Sequence, residues 1–121
     1  MSLLNLQLNN FYEIYNRLHK LYLPNKNVID IKKYFDSDTG RVVIFFELSN
    51  KSYNKWFNYD ISNFTELSDS YKIYDDIRNK INFEIYKLNR IWYNLSVIGA
   101  YILSWFMVET TYRNTLPSKL P

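Results

Sequence analysis

Residues 91–108 contain no charged side chain, and this stretch constrains the fold more than any other part of the chain. A helix rises about 1.5 Å per residue, so a stretch of this length is at the short end of what spans a hydrocarbon core of roughly 30 Å. Aromatic residues that favour membrane interfaces stand near its two ends: Trp92, Tyr93 and Trp105. The sequence therefore predicts a membrane-spanning helix, with these three residues as its interface anchors.

Small residues recur along one side of the same stretch. They are Ser96, Gly99, Ala100 and Ser104. Small side chains let another helix approach closely, and close packing is what joins helices inside lipid. Because the chain has only 2 glycines, the presence of one of them here favours a helix-packing interface.

Basic residues are concentrated before the uncharged stretch. Four precede it (Arg78, Lys80, Lys87 and Arg90), and two follow it (Arg113 and Lys119). Positive charge favours the cytoplasm-like side of a membrane, so we expect the N-terminal body on that side. We also expect the four preceding residues to contact anionic lipid headgroups or acidic partner surfaces.

A second interpretation places residues 91–108 in protein rather than in lipid. Asn94 is costly in hydrocarbon, and without it and its flank the apolar part approaches the roughly 10–14 residues of an ordinary core helix. The stretch would then be a core helix or a dimer interface. The protein would be a small soluble phage, viral or mobile-element protein that binds and inhibits a host protein in the host cytoplasm.

The residues before the stretch predict an α+β head over residues 1–66. Apolar residues at steps of three and four predict a helix over residues 1–23, which lacks the basic start and unbroken apolar run of a secretory signal. A three-stranded antiparallel meander is expected next, over residues 28–33, 41–48 and 53–61, with a turn at residues 36–40. The bulky middle strand is predicted to be covered on both faces.

One long helix is predicted to follow, from about residue 69 to residue 112. Its part within residues 67–90 is amphipathic, whereas residues 91–108 are apolar all round, and residues 109–121 form a short polar tail. The predicted fold class is therefore α+β, with a long C-terminal helix that spans the membrane in its second half.

No group of residues predicts catalysis or metal binding. The chain has no cysteine and a single histidine, His19, so a zinc site lacks ligands. The adjacent Asp75 and Asp76 would point about 100° apart on a helix and are not expected to share a site. We therefore expect no enzyme activity, no cofactor, no metal and no small-molecule substrate.

Aromatic and basic residues alternate at residues 32–35 and 53–57, as they do in stacking platforms for single-stranded nucleic acids. Acidic residues are mixed in throughout, and the net charge is only +3. Aromatic strands equally suit a sheet core or a protein interface. We therefore expect no specific nucleic-acid binding.

The composition indicates an AT-rich coding background, because Tyr (12) and Phe (8) are frequent while Gly (2) and Pro (3) are rare. Together with the lack of cysteine, the lack of an N-terminal presequence and the single apolar segment, this composition resembles that of proteins encoded in ciliate mitochondrial genomes. The resemblance implies a non-catalytic accessory subunit of a respiratory-chain complex or of the mitochondrial ribosome. It further implies the inner membrane, an N-terminal body in the matrix, and other protein subunits and lipid as partners.

Overall fold

The computed structural model describes the backbone of residues 2–115 and the side chains of residues 2–99. The elements in chain order are α1 (Leu3–Tyr22), β1 (Val28–Asp36), β2 (Arg41–Leu48), β3 (Lys55–Asp60) and α2 (Leu67–Thr115). Two short 3-10 helices, Lys51–Tyr53 and Ile61–Phe64, stand before and after β3. The α+β class is confirmed: an N-terminal helix, a three-stranded antiparallel sheet and a long C-terminal helix.

The chain divides into two compact units, Met1–Tyr86 and Lys87–Pro121. The first contains α1, the sheet and the beginning of α2, and the second is helical as far as Thr115. Within the part of the chain whose side chains are described, no helix has the length and apolarity needed to cross a membrane. The predicted span covers residues 91–108, and its portion from residue 100 onward lies outside those described residues.

Helix α1 begins at a serine cap, because the Ser2 hydroxyl accepts a hydrogen bond from the Asn5 backbone N–H at 3.1 Å. Its buried face consists of Gln7, Asn10, Phe11, Ile14, Leu18 and Tyr22. Of the apolar residues whose spacing predicted this helix, Phe11, Ile14, Leu18 and Tyr22 are buried as expected, whereas Leu4 and Leu21 are exposed. Asn10 takes the inward position instead, since its amide donates to the Phe64 carbonyl at 2.7 Å.

Strand β2 is the central strand of the sheet, as predicted. Alternate side chains of β2 are buried: Val42, Ile44, Phe46 and Leu48. Both helices pack against this face, where the Tyr22 ring of α1 meets the Phe46 ring edge-on and Lys55 of β3 lies 3.6 Å from Glu84 of α2. Within the first unit no element covers the other face, where Trp56 is 62% exposed. The prediction that β2 is covered on both faces is therefore wrong.

The β1–β2 hairpin turns at residues 36–40, as predicted. The Asp36 carboxylate accepts from the Asp38 N–H at 2.9 Å, and the Gly40 N–H donates to the Asp36 carbonyl at 2.8 Å. Gly40 has φ 72°, a backbone conformation that glycine adopts without a steric penalty. Strand β1 extends further than predicted, to Asp36, because its end pairs with Arg41 at the start of β2. Strand β3 is shorter than predicted, because 3-10 turns occupy both ends.

Candidate interaction surfaces

The described part of the apolar stretch is exposed on every side of α2. The exposed fractions are 51% for Trp92, 67% for Tyr93, 55% for Leu95, 36% for Val97 and 54% for Ile98. Because successive residues rotate by about 100° around a helix, these five side chains point in different directions. A helix that is apolar on every side is normally buried within protein or within a membrane. This apolar surface of α2 is the first candidate site.

The small residues predicted to form a helix-packing interface are placed only in part. Ser96 is exposed, and a Cβ atom added to Gly99 would meet no atom within 4 Å. Residues three apart on a helix lie about 60° from each other, so Ser96 and Gly99 share one side of α2. The space beside them is open. Ala100, Ser104 and the anchor Trp105 lie outside the residues whose side chains are described.

The four basic residues that precede the stretch fall in both units. Arg78 and Lys80 belong to the first unit, and Lys87 and Arg90 to the second. The Arg78 guanidinium lies 5.7 Å from the centroid of the Tyr74 ring, and Lys80 pairs with Asp76 at 3.0 Å. Arg78 and Arg90 are both exposed. Surface ion pairs are weak, so Lys80 also remains able to contact a negatively charged partner.

A second surface lies on the side of the sheet that faces away from the helices. The Trp56 indole stacks on the Phe45 ring, with 4.0 Å between centroids and 25° between planes. The Tyr34 ring lies 6.3 Å from Trp56, also at 25°. Tyr34 is 48% exposed and Trp56 62% exposed. We call these three residues, together with the half-buried Val43 between them, the aromatic face.

The sequence pointed to residues 32–35 and 53–57 as aromatic strands suited to a core or an interface, but it did not bring the three rings of the aromatic face together. In the structure Phe57 is buried, whereas its neighbour Trp56 is exposed. The prediction that β2 is covered on both faces was wrong, and it had placed Phe45 in the core. The available signal was the register: Tyr34, Phe45 and Trp56 occupy the same side of three adjacent strands.

The titratable residues singled out from the sequence do not form a site. Among the side chains of residues 2–99, no group of three or more His, Cys, Asp or Glu could hold a metal ion. His19 packs beside Tyr15, with 5.6 Å between ring centroids. Asp75 is exposed, whereas Asp76 contacts Lys80 and accepts a hydrogen bond from the Tyr59 hydroxyl at 3.4 Å.

A shallow cleft in the first unit contains the half-buried side chain of Tyr59. It is lined by Tyr59, Ser62, Asn63, Thr65, Asp69 and Ile73. Burial, and then the negative charge of Asp76, raise the pKa of Tyr59 to about 12. The phenol therefore stays protonated at neutral pH and cannot serve as a general base there.

Two surfaces thus stand out in the described chain: the apolar surface of α2 from Trp92 to Ile98, and the aromatic face of the sheet. Both are built from exposed apolar side chains, which mark interaction sites when they are contiguous. Comparison with family models, with curated proteins and with solved structures gives no match for this chain.

Proposed function

We propose that the protein is a non-catalytic accessory subunit of a membrane protein complex. In this proposal residues 91–108 form one packed transmembrane helix, and the α+β unit forms a head outside the lipid. The respiratory chain of a mitochondrial inner membrane, with the head in the matrix, is the setting that the composition and layout favour.

The observation that carries this proposal is the all-round exposure of the apolar surface of α2. Fully burying one Leu, Ile, Val or Phe side chain contributes roughly 1.5–3 kcal/mol. Leu95 and Ile98 are each more than half exposed, so this contribution is unused in the isolated chain. A helix in this condition gains from a surrounding of lipid, of other helices or of both, and residues 91–108 bring no charge to oppose it.

Two further features support a membrane setting. Trp92 and Tyr93, at the start of the stretch, have large rings with a polar edge, and both are exposed as an interface residue would be. Arg90 stands just before them and is also exposed. An arginine at this place can reach lipid phosphates while its stem covers apolar surface.

In this proposal the helix packs on a neighbouring helix through its small residues. Gly99 has no atom within 4 Å of its added Cβ position, and Ser96 is exposed beside it. A neighbouring helix can therefore approach the backbone closely on this side, which is how transmembrane helices associate. Sequence spacing extends the same side to Ala100 and Ser104.

The proposed helix-packing interface is tested by enlarging one small side chain. Ala100→Leu should hold the helix away from its neighbour and weaken recovery of the chain in a detergent-solubilised complex of native size. Ala100→Ser keeps the residue small and is the matched control, for which recovery should be unchanged. Equal recovery of both variants would count against packing through this side of the helix.

A second candidate function is that of a soluble inhibitor that seats α2 on a host protein. Asn94 favours it, because this amide is exposed in the middle of the apolar surface and would lack water partners inside hydrocarbon. In this alternative, residues 91–108 pack in a protein groove or a dimer interface, where an amide finds a partner more easily. Partitioning between membranes and detergent-free buffer separates the two candidates.

A further inference from the structure

The aromatic face is a second docking surface, and the proposed role of α2 leaves it unused. Its three rings come from three neighbouring strands, and the Trp56 ring on β3 lies 4.0 Å from Phe45 and 6.3 Å from Tyr34 between centroids. A tryptophan that is 62% exposed within such a cluster is an unusual surface feature. Tyrosine and tryptophan are also the residues that anchor most protein interfaces.

The size of the face limits what can bind to it. Three strands lie about 4.8 Å apart, so the whole face is roughly as wide as one extended chain with its side chains. A folded partner would normally bury roughly 800 Å² on each side of an interface. An extended segment therefore fits this surface better than the flat side of a globular domain.

The charged residues around the aromatic face favour a partner with positive charge. Asp30 lies opposite Glu47 in the strand register, and its carboxylate accepts a hydrogen bond from the Ile31 N–H at 2.8 Å. At the other end, Arg41 lies between Asp36 and Asp60 in register. Hydrogen bonds from Ser62 lower the pKa of Asp60, which keeps that carboxylate charged.

The carboxylates around the aromatic face, those of Asp30, Asp36, Glu47 and Asp60, give it a charge that differs from the charge of the whole protein. One further charge, that of Lys32, lies on the aromatic face itself, in register with Phe45. Four carboxylates thus stand against two cations on this side of the sheet, although the chain carries a net charge of +3. This side of the sheet is therefore negatively charged, although the chain as a whole is positively charged.

A nucleic acid is the less suitable occupant. Phosphates need lysine and arginine side chains close to the stacked bases. Lys33 and Lys55 lie on the helix side of the sheet instead, where Lys33 lies 4.1 Å from the Tyr15 ring centroid and Lys55 pairs with Glu84. The aromatic face therefore has rings to stack on but an excess of negative charge beside them.

We propose that the aromatic face docks an extended, basic segment of a partner protein. Arginine or lysine side chains of that segment stack on Trp56 and Tyr34, where a cation over an aromatic ring is attracted by the ring face. A further cation of the segment pairs with Glu47, next to Asp30 in the strand register. Apolar side chains between the cations cover Phe45 and Val43.

The test is a selection of random short peptides on the purified full chain in detergent. We expect the enriched peptides to contain arginine or lysine spaced by apolar residues. Trp56→Ala should weaken their binding by about tenfold, and Glu47→Gln should weaken it in the same direction. Tyr86→Ala, which changes an exposed aromatic residue elsewhere, is the control and should leave binding unchanged.

Circular dichroism of each variant first establishes that the fold is retained, as expected for positions outside the buried core. Enrichment of acidic peptides, no enrichment of basic residues, or equal binding to wild type and Trp56→Ala would overturn the proposal. A fluorescent oligothymidine that binds wild type and is lost from Trp56→Ala would assign the face to nucleic acid instead. Self-association that Trp56→Ala abolishes would assign it to a second copy of the chain.

Discussion

The Tyr22 hydroxyl donates a hydrogen bond of 2.6 Å to the Asn82 side-chain oxygen and so joins the end of α1 to α2. The same hydroxyl lies 3.2 Å from the Arg78 carbonyl, while its ring packs edge-on against Phe46 in the core. One side chain thus connects the two helices and the sheet. Its ring belongs to the core, and its side chain also lines a shallow cleft with Asn25, Arg78 and Asn82.

Removing that hydroxyl isolates its contribution. Tyr22→Phe keeps the ring but leaves Asn82 without its partner, so we expect the free energy of unfolding to fall by about 1 kcal/mol. Tyr86→Phe removes an exposed hydroxyl from α2 and should change it by far less. Urea denaturation followed by circular dichroism measures both variants. Equal values for the two would show that the link between the helices contributes nothing.

Asn10 makes an equivalent connection from α1 to the 3-10 turn after β3. Its buried amide donates to the Phe64 carbonyl at 2.7 Å and to the Thr65 carbonyl at 3.3 Å. Asn10→Ala leaves the buried Phe64 carbonyl without this donor and should lower the free energy of unfolding by about 1–3 kcal/mol. Asn16→Ala, at an exposed position of the same helix, is the control. It gives the same gain in helix propensity without removing a buried hydrogen bond. A smaller effect at residue 10 than at residue 16 would contradict this role.

The same substitution should destabilise the protein at one of its two glycines and not at the other. Gly40 has φ 72° in the hairpin turn, so Gly40→Ala should lower the free energy of unfolding by about 1 kcal/mol. Gly99 lies in a helix with open space around it, so Gly99→Ala should not lower it. Thermal melts of both variants provide the comparison. No loss of stability in Gly40→Ala would show that the turn can rearrange.

Stability should fall at high pH as buried phenols ionise. Burial raises the pKa of Tyr22 and of Tyr59 from 10.0 to about 12. Since the folded state holds these protons more tightly than the unfolded chain, their contribution is complete below pH 10 and is lost as the pH rises towards 12. Urea denaturation across this range should show the decline, and a Tyr22→Phe, Tyr59→Phe double variant should reduce it. A decline of equal size in the double variant would point to other groups.

Periodicity predicted the elements well because apolar spacing and turn residues act locally. The central place of β2, the turn at Gly40 and the long helix α2 all follow from such signals. Asn10 and Gln7 escaped prediction, because their burial depends on partners in Thr65 and Phe64, more than fifty residues away in the chain. No local pattern of hydrophobicity contains that information.

The aromatic face escaped prediction for a related reason. The bulky run of β2 is equally suited to a strand covered on one side or on both, and only the placement of the helices decides which. Both helices pack against the side of Ile44 and Phe46, so Phe45 and its neighbours Tyr34 and Trp56 form a surface. Tertiary packing here determines whether an aromatic strand belongs to the core or to an interface.

The partitioning of the full chain between membrane and buffer tests the proposed function most directly. The chain is expressed in bacterial cells, and the isolated membranes are washed with alkaline carbonate, with a peripheral membrane protein as the control for complete washing. A transmembrane helix at residues 91–108 predicts that the chain stays in the pellet after the control has been released. Release into the supernatant as a monodisperse protein in detergent-free buffer would contradict the membrane role and favour the soluble inhibitor.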